Sequence, residues 1–185
     1  MKDASKAQDR MKAAGIAPVS LPLGDAVSMG KWRADFRDPE GSMIYPDGWQ
    51  NLIVNTGLDQ LLGGGLTGGG PWYIGLTDGT PTVEAGDTLV THAGWVEVTG
   101  YDEVARQAWT AGAVSGQSVD NTASAAVFTI TANSTTVGGA FLANSSTKGG
   151  TTGILFAAGA FTQADVTLSA GSTITITAQF TQAAA

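Results

Sequence analysis

Residues 173–180 read Thr-Ile-Thr-Ile-Thr-Ala-Gln-Phe, a strict alternation of polar and apolar side chains. On a strand, Ile174, Ile176, Ala178 and Phe180 fall on one face and Thr173, Thr175, Thr177 and Gln179 on the other; on a helix the same residues would scatter around the axis. The segment therefore demands a half-buried β-strand. Further short segments of strand character follow Pro71: WYIGLT (72–77), WVEVTG (95–100), AVFTIT (126–131), TVGGAFLA (136–143), TGILFAAG (152–159) and DVTLSAG (165–171), parted by Gly, Asn, Ser and Asp. Their spacing is irregular and no fixed repeat recurs, which argues against a solenoid and for two packed layers of short strands.

Residues 31–54 carry the same signature. Trp32, Ala34 and Phe36 alternate with Arg33, Asp35 and Arg37, and Asp38-Pro39-Glu40-Gly41 forms a turn that sends Ser42–Tyr45 back as a hairpin partner. Residues 55–63 break the pattern. Leu58, Leu61 and Leu62 lie at i, i+3 and i+4 on one face of a short helix, with Asn55 or Thr56 to cap it and Gly63 to end it. Residues 1–30 have no β period. Helix formers occupy 3–14, Gly15 ends that stretch, and Pro18 and Pro22 keep the rest extended. The expected architecture is an N-terminal arm (1–30) followed by a mainly β domain (31–185), a β-sandwich of jelly-roll type with one short helix.

Charge and composition narrow the function. With 185 residues the chain can bury a core unaided, and its lack of cysteine excludes disulfides, thiolate metal sites and cysteine nucleophiles. The net charge is −7. Beyond residue 50 the only cations are Arg106 and Lys148, so the body has no basic patch to neutralise phosphates, and nucleic acid is not an expected partner. The longest nearly apolar run, residues 153–161, is far short of the roughly 20 residues a membrane helix takes, and no apolar stretch of signal-peptide type follows Lys2. From Thr110 to Ala185 the only charges are Asp120, Lys148 and Asp165, a sparseness expected of a surface covered by neighbouring molecules. The tip of the arm is mildly basic, and Lys2, Lys6, Arg10 and Lys12 are its candidate contacts. The glycine run at 63–70 is no phosphate cradle: it follows a helix, and no Lys or Arg occurs between Arg37 and Arg106.

The one imidazole, His92, sits between Asp87 and Glu97, beside Trp95. Three chemistries use residues of these types. A catalytic zinc site wants at least three convergent ligands, which this spacing does not supply. A Ser-His-Asp arrangement wants a turn that presents the serine, and no G-x-S-x-G occurs. Asp102 and Glu103 are adjacent, so on a strand they point apart, unlike the paired carboxylates of a glycosidase. A structural role fits better. Asp87 would bond backbone amides two residues on, and His92 would bridge two buried polar groups. Gly94 would let Trp95 pack close against another strand, and Arg106 would pair with Glu97, Asp102 or Glu103. Asp87, His92, Trp95, Glu97 and Arg106 are thus read as a structural bridge, with no catalytic, cofactor-binding or metal-ligating residue.

Five stretches in order, NLIVNTGLDQLL, WYIGLTDGTPTVEAGDTLVTHAGWVEV, YDEVARQAW, SVDNTASAAVFTI and GGAFLANSSTKGGTTGILFAAGAF, resemble a family of structural proteins of tailed bacteriophages over residues 31–180. The resemblance implies a non-enzymatic virion component without cofactors, most simply a capsid decoration (cement) protein. Such a protein would bind the outside of the major capsid protein lattice as a trimer or other small homo-oligomer, without contact to nucleic acid or membrane. The alternatives are another virion part (head fibre, tail or baseplate protein) and, from a different class, a carbohydrate-binding module using Trp49, Trp72, Trp95 and Trp109.

Overall fold

Alternation decides the first element. In the computed structural model, which describes residues 27–63, 65–68 and 70–183, strand β1 (Val27–Arg37) pairs antiparallel with β2 (Met43–Ile53), placing Trp32 opposite Trp49 and Phe36 opposite Tyr45. Trp32, Ala34 and Phe36 are buried as their period requires. β1 starts inside the stretch read as an arm. The expected helix over 3–14 and the contacts Lys2, Lys6, Arg10 and Lys12 lie outside the described residues.

The expectation of a mainly β fold is met. The remaining strands are β3 (Trp72–Asp78), β4 (Val96–Val98), β5 (Gln107–Trp109), β6 (Ser118–Asp120), β7 (Ala126–Thr129), β8 (Thr135–Val137), β9 (Gly139–Ala143), β10 (Leu155–Ala160), β11 (Val166–Leu168) and β12 (Thr173–Ala183). β8 and β11 pair apart from the rest; the other strands form one ten-stranded antiparallel sheet in the order β4-β3-β9-β10-β2-β1-β12-β6, with β5 also on β3 and β7 also on β12. The segment TVGGAFLA, expected as one strand, is split at Gly138 into β8 and β9, which belong to different sheets.

The sheet curls. β2 bonds β1 along most of its length but turns its last residues, Leu52 and Ile53, to β10. Phe180 of β12 meets Phe156 of β10 edge-on at 5.3 Å, and the Trp109 indole of β5 donates to the Ala178 carbonyl of β12. A backbone bridge between Tyr101 and Ile130 ties the stretch after β4 to the end of β7, which covers edges that would otherwise offer unpaired amides. The apolar row Ile174, Ile176, Ala178 and Phe180 lies in the enclosed core, as its period demands.

β9 and β10 are buried on both faces, which explains their nearly unbroken apolar sequence. Ala140, Leu142 and Phe156 enter the main core. Phe141, Ala143, Leu155 and Ala158 face a second cluster completed by Val54, Leu89 and Trp95. Leu89 and Trp95 belong to the loop between β3 and β4. The chain therefore covers its own charge-poor strands, and this part of the composition requires no neighbouring molecule.

Helix α1 (Asn55–Gly63) lies where its leucine spacing placed it, and Leu61 of that face packs against the main core, while the closest approach to the sheet comes one turn earlier. Gly57, not Leu58, makes the contact: a Cβ there would stand 2.1 Å from the Phe156 carbonyl oxygen. Leu58 is 40% exposed. The Thr56 hydroxyl donates to the Leu155 carbonyl at 2.6 Å instead of capping the helix, so the close approach to β10 sets the rotation. Within the glycine run, Gly65–Gly68 makes one further helical turn. No helix among the described residues is long and apolar enough to cross a membrane.

Candidate functional site

The loop between β3 and β4 is organised by short-range hydrogen bonds. The Asp87 carboxylate accepts from the Glu84 amide at 3.1 Å while the Asp87 amide donates to the Glu84 carbonyl at 3.0 Å. The turn thus closes backwards, not onto amides two residues ahead. Next door the Thr88 hydroxyl accepts from the amides of Val90 and Thr91, so the two turns of this loop are closed by different side chains. Gly94 is also placed differently from expectation. Its missing Cβ makes room for the Thr82 carbonyl of the same loop, 2.1 Å from where that carbon would sit.

His92 stacks flat on Trp95, with ring centroids 3.8 Å apart and 18° between planes. Its Nδ1 lies 3.0 Å from the Trp95 carbonyl oxygen. A carbonyl only accepts, so Nδ1 carries the proton and Nε2 in the neutral ring is left as an acceptor. His92 uses this one bond among the described residues and is half-buried, so it does not bridge two buried polar groups. Below it the column continues: Trp95 lies 5.0 Å from Phe141, and the Arg106 guanidinium carbon sits 5.0 Å over the other ring. Phe141 finds its seat because Gly75 opposite has no side chain; a Cβ there would come within 2.3 Å of the ring.

The column ends on an ion pair. Arg106 Nε donates to Glu97 Oε1 at 2.8 Å and Nη2 to Oε2 at 2.7 Å, the bidentate geometry that suits guanidinium and carboxylate. Of the three carboxylates within sequence reach, the structure selects Glu97. Asp102 is exposed, and the Glu103 carboxylate accepts from the Thr129 amide. The rest of the guanidinium is spent on backbone, Nη1 donating to the Ser145 carbonyl at 2.9 Å and Nη2 to that of Gly150 at 2.8 Å. Glu97 Oε2 accepts from the Gly149 amide at 2.8 Å. Lys148, the other cation of the body, donates to the carbonyls of Thr99 and Tyr101 and lies 4.2 Å over the Tyr101 ring. Burial first, then the Glu97 charge, pushes the Tyr101 phenol pKa upward.

The structure therefore joins His92 to Trp95 and Glu97 to Arg106, linked through Phe141, while Asp87 makes no hydrogen bond to the other four among the described residues. Phe141, Lys148 and the 145–150 backbone were not singled out from sequence. Lys148 was the readable signal, because a chain with two cations after residue 50 has few ways to anchor a loop.

A depression of about 170 Å³ opens beside the column, lined by His92, Val96, Glu97, Gly149 and Thr151 among others. Its charged groups neutralise each other, and no hydroxyl nucleophile bonds the imidazole among the described residues. No group of three His, Asp or Glu side chains among them could hold a metal ion. All five tryptophans are more than nine-tenths buried: Trp32 at 2% exposure, Trp49 at 7%, Trp72 at 3%, Trp95 at 5% and Trp109 at 4%. None offers a sugar the open aromatic face on which a carbohydrate-binding module depends. The arrangement pins the loop 145–150 and the loop before β4 to the sheet. No protein-family model, curated protein or solved structure matches this chain.

Proposed function

We propose that this chain is a non-enzymatic structural protein of a tailed-bacteriophage virion, a capsid decoration protein that binds the outside of the major capsid protein lattice as a trimer or other small homo-oligomer. The observation that carries this reading is the use made of the polar residues that looked like chemistry. The bidentate Glu97–Arg106 pair and Lys148 are spent on backbone carbonyls and amides that hold surface loops in place, which is what a protein needs when its task is to present a fixed surface. The motif resemblance over residues 31–180 supplies the class. A sandwich of jelly-roll type is the finer reading of the curled sheet, supported by the contacts of Phe180 and Trp109 across the core.

Cryo-electron microscopy of the virion that encodes this chain tests the proposal. The expected result is density for the strand-rich body repeated over the outer shell, with each copy touching the major capsid protein. Density confined to the tail or baseplate moves the protein to another virion part, and a virion without it removes the reading altogether.

A further inference from the structure

The most exposed large hydrophobic residue among those described is Val104, at 96%. It is not on a loose loop. Two residues earlier the Asp102 amide donates to the Thr129 carbonyl at 2.8 Å, and the adjacent Glu103 carboxylate holds the Thr129 amide at 3.1 Å. Two residues later Arg106 is buried in its ion pair, and its amide donates to the Ser146 carbonyl. The chain thus spends interior hydrogen bonds on both sides to present a valine to water, with the exposed Asp102 beside it. A preordered apolar knob of this kind loses little entropy on docking.

A matching surface exists on the same molecule. Among the described residues, Arg106 and Lys148 are turned onto backbone, and the remaining cations, Lys31, Arg33 and Arg37, all lie on the outward row of β1. Arg33 pairs with Asp35 and Arg37 bonds the Gly41 carbonyl, whereas Lys31 has no hydrogen bond or ion pair among the described residues. Beside Lys31, opposite Arg33 in the register, Gly48 leaves a gap in the outer face. The result is an open hollow of about 420 Å³ lined by Lys31, Trp32, Gly48, Trp49, Gln50 and Thr162. It joins a cation to a small apolar floor, the backbone at Gly48 and the uncovered edge of Trp49, the complement of a knob that joins a carboxylate to a single valine.

We propose that copies of this chain meet head to tail, Val104 of one copy entering the hollow beside Lys31 of the next while Asp102 pairs with that ammonium. The inference rests on the self-association named above. Because knob and hollow are different patches, the contact is heterologous, and a rotation that closes it yields a ring. The charge pair makes assembly weaker in high salt.

Sedimentation velocity of the full chain in low and high salt tests this, with Val104→Asp, Lys31→Asp, Asp102→Lys and the double variant Lys31→Asp with Asp102→Lys. The three altered side chains are exposed, and a melting curve of each variant checks that it folds. The wild type is expected to form an oligomer that high salt weakens. Each single change should raise the dissociation constant at least about tenfold, and the double variant should recover most of that loss. A wild type that stays monomeric overturns both self-association and this contact. An oligomer that persists unchanged in Val104→Asp or in Lys31→Asp overturns the contact alone, and failure of the double variant to recover overturns the Lys31–Asp102 pairing.

Discussion

Replacing Glu97 by Gln isolates the term on which the site depends. The Arg106 and Glu97 side chains keep 1% and 8% of their exposure, so water does not solvate the guanidinium when its partner's charge is removed. Gln has the same length and still reaches Arg106, but it presents one acceptor and one NH₂ group to two N–H donors that lie 2.8 and 2.7 Å from the carboxylate oxygens. The Gly149 amide loses a charged acceptor at the same time. Breaking one side of a buried pair costs about 3–5 kcal/mol. Against a total stability of about 5–15 kcal/mol for a domain, that is a large fraction. With a urea slope of about 1–3 kcal/mol per molar, the unfolding midpoint should fall by about 1 M or more. Urea unfolding followed by tryptophan fluorescence measures the loss, and amide hydrogen exchange should rise at 145–150, where the guanidinium holds carbonyls. The double variant Glu97→Leu with Arg106→Met should lose less than Glu97→Gln, because it removes the stranded charge. A loss below about 1 kcal/mol with unchanged exchange at 145–150 would mean that the pair counts no more than an exposed one, and the clamp argument would fail.

Tyr101→Phe removes a buried hydroxyl that has no hydrogen-bond partner among the described residues, so stability should stay equal or rise by up to about 1 kcal/mol in thermal melts. The Tyr101 pKa is raised in the fold, chiefly by burial, so its contribution is intact below the ordinary value of 10.0 and is lost as pH climbs beyond it; the Phe variant should lack that alkaline loss. Gly57→Ala pushes a carbon to 2.1 Å from the Phe156 carbonyl oxygen and should cost about 1–3 kcal/mol, whereas Gly68→Ala meets nothing within 4 Å and should be neutral or stabilising by up to about 1 kcal/mol; paired melting temperatures check both. His92→Ala removes the stack on Trp95 and the bond to the Trp95 carbonyl and should cost about 1–2 kcal/mol, with the tryptophan emission shifting to the red; an unchanged melt and spectrum would remove the column as a source of stability.

Period-two alternation made β1, β7 and β12 legible in the sequence, because each has one face in the core and one toward the outside, whereas β3 has both faces largely buried. β9 and β10 were recognisable as strands but not as doubly covered ones, since an apolar run does not say what lies on its second face. β5 and β6, at three residues each, are too short to show a period. The leucine spacing marked α1 and the inward Leu61 but misplaced Leu58, which is exposed: Gly57, invisible to a hydrophobic pattern, sets the rotation by letting the helix approach β10. At the site, the chemistry of the guanidinium narrowed Arg106 to three carboxylates, and the choice of Glu97 needed the strand register that places Glu97 opposite Thr77. Asp87 closes its turn backwards onto the Glu84 amide, a choice of direction that its residue type alone leaves open. The His92–Trp95–Phe141–Arg106 column joins residues far apart in the chain, and only tertiary packing brings them into line.

The scarcity of charge after Thr110 first pointed to cover by other molecules, and the structure redirects that inference. The two most apolar strands of that region, β9 and β10, are covered by residues 79–95 of the same chain, and the pinning of that loop by Trp95 and Arg106 is part of how the sheet tolerates so few charges. Among the described residues, the exposed Lys31 and Arg33 of β1 and the valine at 104 have no internal cover, and the outward threonines of β12 are only half covered. A surface that is neutral over β12, positive along β1 and acidic elsewhere orients a molecule by charge while leaving broad areas for hydrogen-bonded contact, since threonine hydroxyls pair readily with water or with a neighbour. The sequence motif with the only imidazole is thus a fastening of the body, and the surfaces left for the proposed contacts are β1, β12 and the turn at Asp102–Val104, which Arg106 and Glu103 hold in place from either side of Val104.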